Sequence, residues 1–261
     1  IVEVIVDHGQ LASILPEYLS KHANEKMTKI GVKVHANASV SSFESIDNRV
    51  RVTVAPSRQD AAQEKKTIDT DLIVVAIGIE PNVDVAKASG FEIDPVNGGI
   101  VADAEMRVRG NVFAAGDACS YYDAKFGRHR TEHWEGAQTS GRLVGENMTG
   151  GAKAFWFQPS FFTKIAPSLL LNAVGDVNAE YETCSVYAAD TETGNKYDKG
   201  VVFYMKDDKI VGVLLVNLIG GGIDVARRLI DDGKVGMDMK EVAKLFILYD
   251  NHVSDEEKKN E

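Results

Sequence analysis

Between Gly110 and Arg142 the chain reads GNVFAAGDACSYYDAKFGRHRTEHWEGAQTSGR. These residue types suit a grip on a reducible ring and its attached sugar chain. Val112–Ala115 is a short apolar run of strand character that delivers Gly116-Asp117. A glycine there lets a ligand approach the backbone, and an aspartate at the carboxyl edge of a sheet presents an ionised acceptor. Such a carboxylate takes hydrogen bonds from a sugar-like chain, of which the ribityl of a flavin is one. Farther along, Glu132-His133-Trp134-Glu135 precedes a small-residue run, Gly136–Met148, expected as helix. Its positive N-terminus suits a carbonyl on which negative charge collects on reduction. A Gly-Asp pair alone also fits a plain turn after a buried strand. The whole run is what points to chemistry.

A dinucleotide-binding βαβ unit needs a glycine-rich turn after its first strand and an acidic residue ending its second. Ile1–Val6 followed by Asp7 suits the second requirement, with Asp7 on the adenosine ribose hydroxyls. An ordinary strand-end turn explains Asp7 equally well. The 261 residues contain no first strand with its glycine turn, so alone they are expected to hold a dinucleotide flavin weakly and to be inactive. Gly220-Gly221-Gly222 is no substitute, because the third motif position is Val225 and no βαβ continuation follows. That triplet reads as punctuation before a helix.

Composition bounds the rest. A chain with 44% hydrophobic residues can bury a sizeable core, and two domains fit its length. No apolar run approaches the ~20 residues that span a bilayer. The net charge of −10 argues against broad attraction to nucleic acid or anionic lipid. The dense basic run, Lys125 to Arg130, reads as a solvated loop. Cys119 and Cys184 make neither a disulfide framework nor a metal-ligand spacing, and Cys119 reads as a small core thiol. No metal site is expected.

The elements that must position these residues follow from periodicity. Ile1–Val6 reads as a buried parallel strand, Leu11–Ile30 as a helix and Val32–His35 as a strand. Val40–Phe43, Val50–Val54 and Thr67–Ile79 suggest a meander ending in a central strand, with polar Ser57–Lys66 as a loop. Pro81-Asn82 breaks that pattern. Ile100–Val108 and Val112–Ala115 restore strand character, and Gly150-Gly151 marks a boundary. Phe155–Cys184 opens a further domain in which Trp156 and Phe161 read as core aromatics. Gly200–Met205 and Lys209–Asn217 form a hairpin across Lys206-Asp207-Asp208, followed by helices Ile223–Asp231 and Lys240–Leu248. The charged tail, Ser254–Glu261, reads as disordered.

The chain resembles the apoptosis-inducing factor flavoproteins, mitochondrial relatives of the pyridine-nucleotide reductases. The resemblance is carried by AGDAC–YYD–K–GR–R–EH at Ala115–His133 and SGRLVGENMTGGAK at Ser140–Lys153. Further matches are ILPEYLS at Ile14–Ser20, IVVAIGIEPNV at Ile73–Val83, and YDKGVVFY through EVAKLF at Tyr197–Phe246. It implies an α/β fold: a partial FAD/NAD(P)-binding Rossmann-like reductase fold followed by an α+β C-terminal reductase domain. Residues 1–80 would be the remainder of an NAD-binding subdomain, 81–151 the closing half of an FAD-binding domain, 152–250 the C-terminal domain and 251–261 a charged tail.

The resemblance also implies roles. Glu132 and His133 would lie beside the isoalloxazine and nicotinamide rings, His133 packing on the flavin and Glu132 orienting the carboxamide. Gly116 and Asp117 would hold the ribityl end. Gly78, in a strand–Gly–x–x–Pro–Asn crossover stiffened by Pro81, would lie on the nicotinamide side. Trp134 stands where the family pattern has a second histidine, Phe162 where it has a tryptophan, and Asn172 near an expected glutamate. The aromatic role survives at Phe162; the acidic role at Asn172 does not. The family has a glutamate in a longer loop near Asp7, and a long insertion where Ala189–Lys196 is short.

The implied cofactors are FAD and NAD(H), and the intact protein would oxidise NADH and form a long-lived reduced complex with NAD. It would sit in the mitochondrial intermembrane space, with release to cytosol and nucleus in apoptosis. It would form a homodimer, meet an import or assembly partner, and support respiratory-chain maintenance and caspase-independent cell death. DNA binding is implied too, against the acidic charge. Two rivals are a ferredoxin- or disulfide-type pyridine-nucleotide reductase and a non-catalytic scaffold for partners or DNA. The lack of a CxxC pair opposes the first.

Overall fold

A computed structural model describes residues 1–57, 65–188, 196–218 and 220–248, which fall into two compact units. One comprises residues 1–74 with 162–248 of the described chain, and the other residues 75–161. Most of the expected loop Ser57–Lys66, most of the short segment Ala189–Lys196, and the tail Ser254–Glu261 lie outside the described residues.

The chain opens with β1 (Val2–Val4), α1 (Glu17–Lys29) and β2 (Lys33–His35), a parallel pair joined through a helix. The helix is shorter than its periodicity suggests. Pro16 disfavours helical backbone at the residue before it, so the segment from Leu11 makes a separate turn and α1 begins after the proline. Leu15 and Leu19 are fully buried across that break. The antiparallel meander follows as β3 (Ala38–Ile46), β4 (Arg49–Pro56) and β5 (Lys66–Thr70).

The expected central strand does not continue past Thr70. Residues 71–79 form no ladder, and Leu72, Val74, Val75 and Ile77 are more than two-thirds exposed. A run apolar on both faces is a strand only when neighbours cover both faces and take its backbone hydrogen bonds. Among the described residues no strand does so.

The second unit contains α2 (Asp84–Ala88), β6 (Ile100–Val101), β7 (Arg107–Arg109) and β8 (Val112–Phe113). The expected single strand over Ile100–Val108 is therefore two short ones. Met106, in the left-handed region at φ 64°, turns the chain between them. A 3₁₀ turn at Gly116–Ala118 leads to β9 (Cys119–Asp123), β10 (Gly127–His129) and α3 (Trp134–Met148). β9 pairs parallel with β6 and antiparallel with β10. Met106, Ala114, Cys119, Tyr121, Phe155 and Phe157 form the core that holds these short strands against α3.

The remaining elements return to the first unit: β11 (Ser160–Ala166), β12 (Leu169–Gly175), β13 (Glu182–Tyr187), β14 (Gly200–Lys206) and β15 (Lys209–Val216). They form one five-stranded sheet in the order β11-β12-β15-β14-β13, with α4 (Gly222–Asp232) and α5 (Met239–Ala243) after it. The hairpin β14–β15 turns at Asp207-Asp208, both at positive φ as a type I′ turn requires. The last helix stops at Ala243, five residues short of the expected Leu248. Phe246 and Leu248 are nonetheless buried, so the apolar spacing beyond Ala243 records docking rather than helix. The Gly220–Gly222 triplet ends at the start of α4, as punctuation should.

Candidate functional site

The second unit gathers the candidate residues around the start of α3. Gly116 adopts φ +70°, a conformation that suits glycine, and its N–H donates to the buried Ser140 hydroxyl of α3 at 3.0 Å. A Cβ on Gly116 would lie 3.5 Å from the Ala137 methyl, so this turn is laid closely on the helix. Asp117 follows, half-buried. Its backbone carbonyl accepts from the Arg130 guanidinium at 3.2 Å, while its carboxylate is engaged by no donor among the described residues.

The hairpin β9–β10 then brings the chain back. The Asp123 carboxylate accepts the Lys125 and Phe126 amides at 2.7 and 3.0 Å and so closes the turn. Arg128 donates to the carbonyls of Ala102 and Ser120, and Arg130 points inward with its side chain 13% exposed. The basic run is solvated at Lys125 and Arg128, as its charge suggests, but it is part strand rather than loop, and Arg130 is turned inward. Its two arginines reach backbone carbonyls of neighbouring segments, Arg128 those of Ala102 and Ser120 and Arg130 those of Asn97 and Asp117.

Glu132 meets Arg130 at 2.6 Å. His133 is the N-cap of α3 in extended backbone, and its ring stacks on Phe161 at 6.1 Å between centroids and 24° between planes. The His133 carbonyl accepts the Ala137 amide, which leaves the amides of Trp134, Glu135 and Gly136 at the free end of the helix. Trp134 is 77% exposed there, and the Ser160 hydroxyl donates to Glu135 at 3.2 Å.

Beneath this surface Asp94 is buried. Burial works against its ionisation, but hydrogen bonds from the Ser120 hydroxyl at 2.6 Å, the Val96 amide and Asn97 outweigh it. They hold the Asp94 carboxyl far below the usual carboxylate range. Burial pushes the Cys119 thiol the other way, up to about 12, which fits an inert core thiol.

Of the residues expected from sequence, Gly116, Asp117, Glu132, His133 and Trp134 come together here. Gly78 belongs to the same unit, exposed at φ +99° with open space around it. Asp7 and Phe162 lie in the other unit, both exposed. Asn172 in that unit donates weakly to the Leu218 carbonyl at 3.5 Å. Trp156 is not the core aromatic expected: it is 44% exposed, with Lys125 over its ring. Phe161 is half-buried against His133. Sequence reasoning missed Arg130 and Gly99. The available signal was the Arg-x-Glu spacing at Arg130 and Glu132, which places both side chains on one face of an extended segment.

Residues 2–141 match the family model described as pyridine nucleotide-disulphide oxidoreductase, and the chain belongs to that family. Residues 144–196 and 189–232 match the C-terminal model of apoptosis-inducing factor, mitochondrion-associated, so the likeness is to the C-terminal portion of those proteins. The chain is 34% identical over 96% of its length to apoptosis-inducing factor 1, mitochondrial, of Dictyostelium discoideum. It is 32% identical over 95% of its length to the putative apoptosis-inducing factor 1, mitochondrial, of Drosophila melanogaster. It spans only 47% and 38% of those two relatives. In fold it is similar to a ferredoxin reductase from Rhodopseudomonas palustris, with a TM-score of 0.73 at 23% identity, covering 93% of this chain and 58% of that one.

Proposed function

We propose that the protein containing this chain is an apoptosis-inducing-factor-like flavoprotein that oxidises NADH with FAD. The observation that carries the reading is the Gly116-Asp117 turn seated on α3, with Glu132 and His133 at the same helix end. The residues suit a flavin: a Gly116 turn laid closely on α3, an Asp117 carboxylate that takes no hydrogen bond among the described residues, and amides at the start of α3 that no side chain caps.

Bound there, the flavin would supply hydride-accepting chemistry and the protein its orientation and electrostatics. Asp117 would accept hydrogen bonds from the sugar-like chain. The N-terminus of α3 would favour negative charge at the ring. Phe161 packs beside the His133 ring, and Glu132 would orient the carboxamide of NAD(H). Gly78, Trp134, Phe162 and Asp7 are assigned to cofactor binding in the same reading.

We assign residues 1–80 to an NAD subdomain, 81–151 to an FAD domain and 152–250 to the C-terminal domain. The mitochondrial relatives support residence in mitochondria, and we place the protein in the intermembrane space with release to cytosol and nucleus in apoptosis. Homodimer formation, an import or assembly partner, respiratory-chain maintenance and a part in cell death belong to the same proposal. DNA binding fits poorly with a net charge of −10. The rival disulfide-type chemistry finds no CxxC pair in these 261 residues, whose two cysteines, Cys119 and Cys184, are far apart in sequence and not bonded to each other.

The test is cofactor content. Acid extraction of the purified protein that contains this chain, rather than of the 261 residues alone, followed by mass determination, should release one FAD per polypeptide. Protein free of flavin, or carrying FMN alone, contradicts the reading.

A further inference from the structure

Arg130 lies in a slot made by a missing side chain. A Cβ on Gly99, which sits at φ +83°, would come within 2.9 Å of Arg130 Cδ and 3.0 Å of the Ala118 carbonyl oxygen. In that slot the guanidinium serves three acceptors. Nε donates to the Asn97 carbonyl at 2.6 Å, one Nη to the Asp117 carbonyl at 3.2 Å and the other to Glu132 Oε1 at 2.6 Å. Its side chain is 13% exposed and that of Glu132 39%. A planar fork with fixed donor directions holds such an arrangement where a rotating ammonium cannot.

We propose that Arg130 is a positioning residue for nicotinamide selection, locking the Glu132 carboxylate to the turn that carries Asp117 so that Oε2 alone faces the carboxamide. The proposal rests on the role of Glu132 given above. Two acceptors on separate segments, the Asp117 turn and the Glu132 stretch just before α3, are tied together through a single side chain. With Oε1 occupied, one oriented acceptor remains, suited to a single amide N–H. A site built to bond a particular N–H rejects an analogue that lacks it, because a polar group is then left unpaired. Free rotation of Glu132 would weaken that discrimination without removing the cofactor's other contacts.

The test compares NAD⁺ with the analogue whose carboxamide NH₂ is replaced by CH₃. Binding to the flavin-loaded protein is followed by perturbation of the visible flavin band. Wild type should prefer NAD⁺ by roughly ten-fold or more. E132A should bind both alike. R130Q, measured on its flavin-loaded fraction, should lose most of the preference, and R130K should fall between. A merely structural role for Arg130 would weaken both ligands equally and leave their ratio intact. An R130Q protein with the wild-type preference, beside an E132A protein that has lost it, overturns the role of Arg130. An E132A protein that keeps the preference overturns the assignment of Glu132, and Arg130 with it. If R130Q yields no flavin-loaded protein, R130K decides: an intermediate preference supports the proposal and a wild-type one refutes it.

Discussion

Truncating Asp117 to alanine should loosen FAD without unfolding its site. The turn that presents Asp117 does not depend on the carboxylate. Gly116 is held by the Ser140 hydroxyl, and the Asp117 carbonyl by Arg130. The carboxylate takes no hydrogen bond from the protein among the described residues, so its removal strands no internal donor. What is lost is one charged acceptor for a sugar hydroxyl, worth roughly 1.5–3 kcal/mol. At about 1.4 kcal/mol per factor of ten, FAD should dissociate with a constant roughly ten- to hundred-fold higher. Asp117→Asn, which keeps an uncharged acceptor, should lose less. The assay is flavin fluorescence released during equilibrium dialysis of the flavin-loaded protein, with circular dichroism to show that the fold persists. Equal FAD retention by wild type and Asp117→Ala would refute the assignment of the Gly116-Asp117 turn.

His133→Ala should slow flavin reduction by NADH in stopped-flow measurements while leaving FAD bound, because the ring stands at the helix start and not in the turn; wild-type rates would remove His133 from the site. Asp94→Ala should cost about 3 kcal/mol at neutral pH, since a buried carboxylate loses hydrogen bonds from Ser120, Val96 and Asn97. Asp94 has a depressed pKa, so its stabilisation is complete above the unfolded value of about 3.9 and fades as the pH falls below it. Melting curves should therefore show the gap between wild type and variant narrowing below about pH 4, and a gap that widens on acidification would contradict the assignment. Asp208→Gly should stabilise the β14–β15 hairpin by up to about 1 kcal/mol, because Asp208 is exposed at φ 59° where glycine is unstrained. A lowered melting temperature would count against the turn assignment.

Much of the fold is legible in the amino-acid sequence alone. The continuous apolar runs Val201 to Met205 and Ile210 to Val216, parted by polar Lys206-Asp207-Asp208, mark a hairpin on local grounds, and β14 and β15 form it. The meander over Ala38–Pro56 is equally plain, because antiparallel strands joined by short turns carry their own register. The run Leu72–Ile79 misleads because its apolar pattern describes neighbours, and neighbours are not local information. Pro16 is a readable signal that the periodicity of Leu11–Ile30 conceals. At the site, residue type and spacing suffice to bring out Gly116, Asp117 and the Glu132-His133 cap. They do not suffice for Arg130. Its role depends on Gly99 for the slot and on Asn97, 33 residues away in sequence, for an acceptor.

Electrons are proposed to pass from NADH to a flavin held at the start of α3. Anaerobic addition of NADH to the purified flavin-loaded protein, followed in the visible spectrum, tests it most directly. The flavin band should bleach on NADH addition, and His133→Ala should bleach more slowly at equal flavin content. A bound flavin whose spectrum is untouched by excess NADH would contradict it.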